Sequence, residues 1–327
     1  MKKFICVLLC VLMALATLTL VACDKKEATL KFGLGVYTDV SSATDATEDK
    51  EGEGKATITA AVITVDADGK VVACQLDAAD NTVKYTFEGK AIANDGFKTK
   101  YELGNDYGMS KIGAKEWFEQ ADAFESVVVG KTLDEIKALV AEGGKGTGTD
   151  AVISAGCTIA VTEFVGAIEK AFANLADSAA TASTALMLGM HTEQSTKDAA
   201  EEAPGQNQIE TTIVAAAVDA QGKVVVAASD CVQVKFTFDA AGASTYDLSK
   251  KAASKREQGA NYGMVAYGNA AKEWFEQADA FNALCVGKTA TEIAALCASD
   301  NYGTDEVKAA GCTILVNGLT KAAAKLG

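Results

Sequence analysis

The stretch Ala114-Lys-Glu-Trp-Phe-Glu-Gln-Ala-Asp-Ala-Phe124 returns letter for letter as Ala271 to Phe281, and both tryptophans of the chain, Trp117 and Trp274, lie inside it. Ala114, Trp117, Phe118, Ala121 and Phe124 fall at spacings that share one face of a helix, so the repeat predicts a core helix, with Lys115, Glu116, Glu119 and Asp122 left for water. A buried face tolerates exchange among hydrophobes of similar volume, so the identity of the polar residues Lys115, Glu116, Glu119, Gln120 and Asp122 is not a packing demand. Structure and a shared surface role are the two alternatives for it.

Working outward, Val129-Gly-Lys-Thr132 invites a phosphate-loop reading, but the earlier glycine of that motif would fall at Glu125. Thr132 with Glu135 instead forms the S/T-x-x-E capping box of a further helix, repeated as Thr289 with Glu292. Upstream, Leu30–Val36 is a strand candidate, and Ser41–Gly54 reads as an exposed acidic loop. Ala56–Val65 and Val71–Leu76 flank the turn-forming Asp66-Ala-Asp-Gly-Lys70, a hairpin by composition. Val83, Tyr85 and Phe87 then alternate with Thr82, Lys84 and Thr86, as in a strand with one buried face. Downstream, Val161, Phe164, Val165, Ile168, Ala171 and Phe172 recur at helical spacing.

The second copy keeps this order. Leu188-Gly189 matches Leu34-Gly35, Thr211–Val218 and Val224–Ala228 flank Gly222-Lys223, and Asn261-Tyr-Gly-Met264 repeats the YGM of Tyr107–Met109. The period, roughly 155 residues, is far too long for a solenoid repeat. The expected fold is therefore α+β: two tandem homologous domains, each an antiparallel, hairpin-rich sheet with about three helices on one side. The boundaries read as 30–175 for the first domain, 176–185 for a linker containing Asp177–Ala185 (DSAATASTA), and 186–327 for the second.

A length of 327 residues suits two domains of ordinary size, and a chain 49% hydrophobic and 23% charged can build cores. Its 44 acidic against 30 basic residues give a net charge of −14, a surface that repels phosphate backbones, so nucleic acid is not an expected partner. Lys2 and Lys3 precede an uncharged apolar run from Phe4 to Ala22, the arrangement of a secretory signal peptide, residues 1–22. The run ends Leu-Val-Ala-Cys23, which resembles the lipobox of bacterial lipoproteins. That resemblance implies lipid on Cys23, a tether over 23–29, and a chain anchored to the outer face of the cytoplasmic membrane. The other reading is an uncleaved signal anchor.

Beyond Cys23 six cysteines remain, of which only Cys157 and Cys312 occupy equivalent places, and none shows CxxC spacing. With a single histidine in the chain, a metal site is not expected. That histidine, His191, aligns with Tyr37, so serine and cysteine nucleophiles lack a shared base. The pairs Glu116/Glu119 and Glu273/Glu276 lie at i, i+3 on the wet side of a helix and read as solvated charge. The chain is thus expected to be a binding or electron-carrier protein rather than a hydrolase.

Ala155-Gly-Cys-Thr158 and Ala310-Gly-Cys-Thr313, each after an aspartate (Asp150, Asp305) and before an amphipathic helix, resemble the segment of exported bacterial FMN-binding domains that presents a threonine for covalent flavin attachment. Both copies depart from it: alanine replaces the serine, cysteine the alanine, and the aspartates lie two residues further upstream. The resemblance implies FMN as cofactor, with Gly156, Thr158, Gly311 and Thr313 at the phosphate and Tyr107, Gly108, Tyr262 and Gly263 near the ring. It implies electron transfer with an envelope redox partner. The chain also resembles bacterial lipoproteins of unassigned function that carry YGM and KEWxEQ. The alternative is a cofactor-free lipoprotein that binds a small solute or a protein.

Overall fold

The computed structural model describes residues 27–113, 115–143 and 145–326, so the leader, Cys23 and Ala114 lie outside the described residues. The fold is mixed α+β, with one five-stranded and one three-stranded antiparallel sheet. In the first, β1 (Lys31–Thr44), β2 (Gly52–Val65) and β3 (Val71–Tyr85) form a meander. The short strand β4 (Ala91–Ile92) borders β3, and β5 (Ala176–Asp177) borders β1. Helices α1 (Lys100–Leu103), α2 (Trp117–Val128), α3 (Leu133–Lys137), α4 (Asp150–Ala155) and α5 (Thr162–Ala173) follow β4. The second sheet is β6 (Ala185–Lys197), β7 (Gly205–Val218) and β8 (Val224–Phe238). After it come α6 (Lys255–Gln258), α7 (Met264–Gly268), α8 (Trp274–Cys285), α9 (Ala290–Ala294), α10 (Asp305–Ala309) and α11 (Asn317–Ala323).

The strands run longer than composition suggests. Ser41–Thr44 continue β1 and Gly52–Gly54 open β2, because Ala43 and Thr44 pair with Gly54 and Glu53 across the hairpin. The acidic loop shrinks to the turn at 45–51, and β3 passes without a break through the residues between Leu76 and Thr82. The expected hairpin turn forms as read, with the Asp66 carboxylate accepting from the amides of Asp68 and Lys70. Both capping boxes form as well, at Thr132/Glu135 and Thr289/Glu292.

Each sheet is covered on both faces. Outward, Ala61, Ile63 and Val65 of β2 pack with Phe124, Val128, Phe164 and Ile168 of α2 and α5, while Val214, Ala216 and Val218 of β7 pack with Phe281, Cys285 and Leu319 of α8 and α11. Inward, Ile58 and Val62 meet Ile209, Ile213 and Val232, and the two sheets stack face to face in one shared core. The molecule is therefore layered helix, sheet, sheet, helix. Runs such as Thr57-Ile-Thr-Ala-Ala-Val-Ile-Thr-Val65 are apolar at both parities, as strands covered on two sides must be. At about 1.5–3 kcal/mol for each fully buried aliphatic side chain, those five inward residues alone represent roughly 10 kcal/mol, comparable to the net stability of a domain. Neither inner face could stay in water.

The contacts between the first half (30–175) and the second (186–327) are reciprocal. Tyr85 stacks on Phe238, the residue at the same register position of β8, with ring centroids 4.2 Å apart. Lys170 of α5 pairs with Glu257 of α6 at 2.6 Å, and Lys325 after α11 pairs with Glu102 of α1 at 2.8 Å. The amide of Ala46 donates to the Gly242 carbonyl and that of Ala199 to the Gly89 carbonyl, both at 2.8 Å. This is the pattern of an isologous interface, drawn within one chain. Ala176–Asp177 pair with β1, and Ala180 is fully buried, its carbonyl accepting from Leu30 N at 2.8 Å.

Helix packing follows from small residues. A Cβ on Gly35 or on Gly189 would collide with backbone of α5 or α11, so these glycines let each helix lie directly on the first strand of its sheet.

Candidate functional site

The polar face of the repeated helix is left for water only in part: Glu119 and Asp122 are exposed, whereas Glu116 is buried. Helix α2 begins at Trp117, and Glu116 before it is buried. The Glu116 carboxylate accepts from the amides of Met109 and Ser110 (2.9 and 3.2 Å), and Glu119 reaches back to the Glu116 amide (2.8 Å). Those hydrogen bonds, the Ser110 hydroxyl first, hold the Glu116 carboxyl below its ordinary range. Gln120, also buried, donates to the Lys115 carbonyl, while its Oε1 accepts from both the amide and the hydroxyl of Thr158 (2.8 and 3.0 Å). Glu273, Glu276, Gln277 and Thr313 repeat the set at 2.8–3.1 Å. Gly156 and Gly311 end α4 and α10 region turns at φ of 108° and 98°, with the ammonium groups of Lys115 and Lys272 lying against them. Lysine is favourable there, beside helix C-terminal carbonyls. Identity on this face is therefore structural, except at exposed Asp122 and Asp279.

The predicted flavin residues divide between two places. Thr158 and Thr313, with Gly156 and Gly311, face the glutamines. Tyr107 and Tyr262 turn to the sheets, where their hydroxyls donate to Asp80 (2.9 Å) and Gln233 (3.0 Å). Gly108 and Gly263 supply the left-handed turn, φ 77° and 82°, after each tyrosine. A phosphate at Thr158 or Thr313 would find the amide and hydroxyl already donated to glutamine.

Around each tyrosine lies an arrangement that the sequence reading missed. Thr99 and Ser254 cap α1 and α6, and the next residue, Lys100 or Lys255, is thereby aimed inward. Lys100 Nζ sits 5.3 Å from the Tyr107 ring centroid and 5.4 Å from that of Trp117, and 3.1 Å from Asp80. Lys255 Nζ sits 5.1 Å from Tyr262, 5.5 Å from Trp274, and 2.8 Å from Glu210. Each ammonium is thus held over two aromatic faces and against one carboxylate. The signal was available: Thr99–Met109 and Ser254–Met264 share [S/T]-K-x-E-x-G-x-x-Y-G-M.

The two halves diverge just above these lysines. In the first, the Glu163 side chain of α5 fills the space and accepts from Thr59 (3.0 Å), burial raising its pKa against that hydrogen bond. The equivalent helix position in the second half is Gly318, and a cleft of about 310 Å³ opens there, lined by Glu193, Glu210, Thr212, Trp274, Leu315 and Asn317. Cys231 forms part of its floor, donating to Glu210 at 3.4 Å. Burial pushes that thiol far up, so it is no nucleophile at neutral pH. Burial works against the charge on Lys255, but the Glu210 carboxylate at 2.8 Å outweighs it and its pKa ends above the ordinary lysine value. Glu193 and Glu210, cross-strand partners on β6 and β7, both end below the usual carboxylate range: burial raises them, and Lys321 and Lys255 respectively outweigh it. His191 beside Glu193 is pulled below its ordinary value by burial. Both carboxylates of the cleft are thus held ionised.

Among the described residues no group of three or more His, Cys, Asp or Glu side chains could hold a metal, and no helix is long and apolar enough to cross a membrane. The six cysteines from Cys74 to Cys312 are free thiols. Comparison with protein-family models, with curated proteins and with solved structures finds no match to this chain.

Proposed function

We propose that this chain is an exported, lipid-anchored binding protein whose ligand enters the cleft of the second half. One observation carries the reading: at the same place on the same scaffold, Glu163 closes the first half and Gly318 leaves the second open. The lipid on Cys23 would hold the cleft outside the cytoplasmic membrane, where small solutes pass. The two halves would be copies of one domain joined as an isologous pair, the first retained as the cover for the second's inner face. A flavin carrier finds less support, since Gln120 and Gln277 would have to release Thr158 and Thr313. Absorbance near about 450 nm, set by the flavin ring, is the check on that.

The decisive variant is Gly318→Glu, which carries the first half's residue into the second. The Cβ it adds would lie 2.6 Å from Thr212 Oγ1, a rotatable side-chain tip. Small polar solutes that raise the Tm of the mature chain should leave the variant's Tm unmoved, with its circular dichroism unchanged. A solute that shifts both proteins equally would sink this reading, as would a broad set of solutes that shifts neither.

A further inference from the structure

The walls of the cleft specify more than its presence. Consider charge first. Glu210 has Lys255 at 2.8 Å and Glu193 has Lys321 at 2.7 Å, so each carboxylate has its own ammonium group. No residual charge is left to select an ion, and His191, depressed by burial, adds none at neutral pH. The net charge of −14 further disfavours anions.

Hydrogen-bonding capacity comes second. Among the described residues, Glu193 Oε2 accepts only from Asn317 and Glu210 Oε2 only from Gln233, so each retains room for a donor. The Asn317 amide is spent on Glu193, and its own carbonyl oxygen accepts from no described residue. In the opposite sense, Trp274 is 5% exposed and lines the cleft, yet its indole N–H donates to no acceptor among the described residues. A neutral ligand that uses these free capacities donates to carboxylate and amide oxygens and accepts from the indole. Hydroxyl groups do both.

Shape comes third. Leu315, Leu319 and the Trp274 ring supply apolar surface beside these polar groups. The volume of about 310 Å³ lies at the small end of ligand sites, which run from about 300 to 1,000 Å³. That is room for one ring, not a chain.

We infer that the cleft binds a single neutral sugar ring, with hydroxyls bridging Glu193, Asn317 and Glu210, and one oxygen accepting from Trp274. This inference rests on the binding reading above and narrows it to a ligand class. The first half has no such capacity, because Glu163 occupies the space and Thr57 and Thr162 stand where Glu210 and Asn317 are in the second.

The test is calorimetric titration of the mature chain at neutral pH with a panel of methyl pyranosides, and with glucosamine and glucuronic acid as cationic and anionic rings of similar size. At least one neutral glycoside should bind, at least about tenfold more tightly than either charged ring, the order of factor that one lost hydrogen bond represents. Trp274→Phe, which keeps the ring and loses the N–H, should weaken it about tenfold, and Trp117→Phe should leave it unchanged. Asn317→Thr, the residue of the first half, gives a second reading should Trp274→Phe not fold, and should weaken binding at least about fivefold. Tighter binding of a charged ring, or full affinity in Asn317→Thr, overturns the sugar assignment. If non-sugar solutes bind in a Gly318-dependent way while every pyranoside fails, the cleft reading stands and the sugar inference falls. If nothing binds, both fall.

Discussion

The two halves share one scaffold and differ in what stands above a buried lysine. In the first, Lys100 pairs with Asp80, whose side chain is 42% exposed, and Glu163 closes the space above. In the second, Lys255 is only 6% exposed and pairs with Glu210 at the floor of an open cleft. The same cap, the same YGM turn and the same tryptophan therefore carry a largely buried lysine on a partly exposed carboxylate in both halves, Lys100 and Asp80 at 12% and 42% exposure and Lys255 and Glu210 at 6% and 35%. The shared residues build the frame, and the unshared ones decide whether it holds a cavity.

The sharpest way to break this comparison is to remove each lysine. Lys255→Met takes a charge-assisted hydrogen bond from the partly exposed Glu210 and should cost about 1.5–3 kcal/mol in urea unfolding. Lys100→Met leaves Asp80 to water and should cost about 1 kcal/mol or less. Equal losses would mean that the two environments are alike. A second pair should behave identically in both halves. Gln120→Leu and Gln277→Leu each take the acceptor from a threonine amide and hydroxyl, and each should lose about 1–2 kcal/mol. A difference between them above about 1 kcal/mol would show that the shared polar face serves unlike roles.

A further contrast lies in pH. Burial pushes Glu125 of α2 up to about 8, against the hydrogen bond it accepts from the Leu76 amide, and pushes Asp77 up to about 7. The second half has the neutral Asn282 at the position of Glu125. Both folded values exceed the unfolded ones, so the native state binds more protons. Their contribution is complete below about pH 4 and is lost as pH rises through about 7 and 8, with stability falling in that window. Glu125→Gln should flatten the fall between about pH 5 and 8 while keeping an acceptor for Leu76. An unchanged slope in denaturation curves would show that Glu125 is ionised throughout.

Much of the frame was legible in the residues. The capping boxes, the Asp66 turn and the terminal helix α5 follow from local rules of spacing and turn chemistry, and each formed where those rules put it. The face of the tryptophan helix was legible only in part. Helical periodicity placed Trp117 and Phe124 inward, but it also placed Glu116 outside, whereas Glu116 is the N-cap and is buried. Periodicity measures apolarity and cannot detect a polar side chain enclosed by backbone amides of a segment six or seven residues upstream. Lys100 and Lys255 were missed for a related reason: a lysine beside a cap ordinarily reads as solvated, and only the rings of Tyr107, Trp117, Tyr262 and Trp274 make these positions interior.

The sequence by itself determined that one pattern occurs twice, that each copy runs from hairpins to helices, and where the two helices with threonine caps begin, because period, caps and turns act within a few residues. Only the tertiary structure decided that the two sheets share a core and that Glu163 and Gly318 mark a closed and an open site. Which face meets which, and whether a missing side chain leaves a cavity, depend on residues more than 100 positions apart, such as Thr59 and Glu163. No local rule brings those together; burial of both inner faces does.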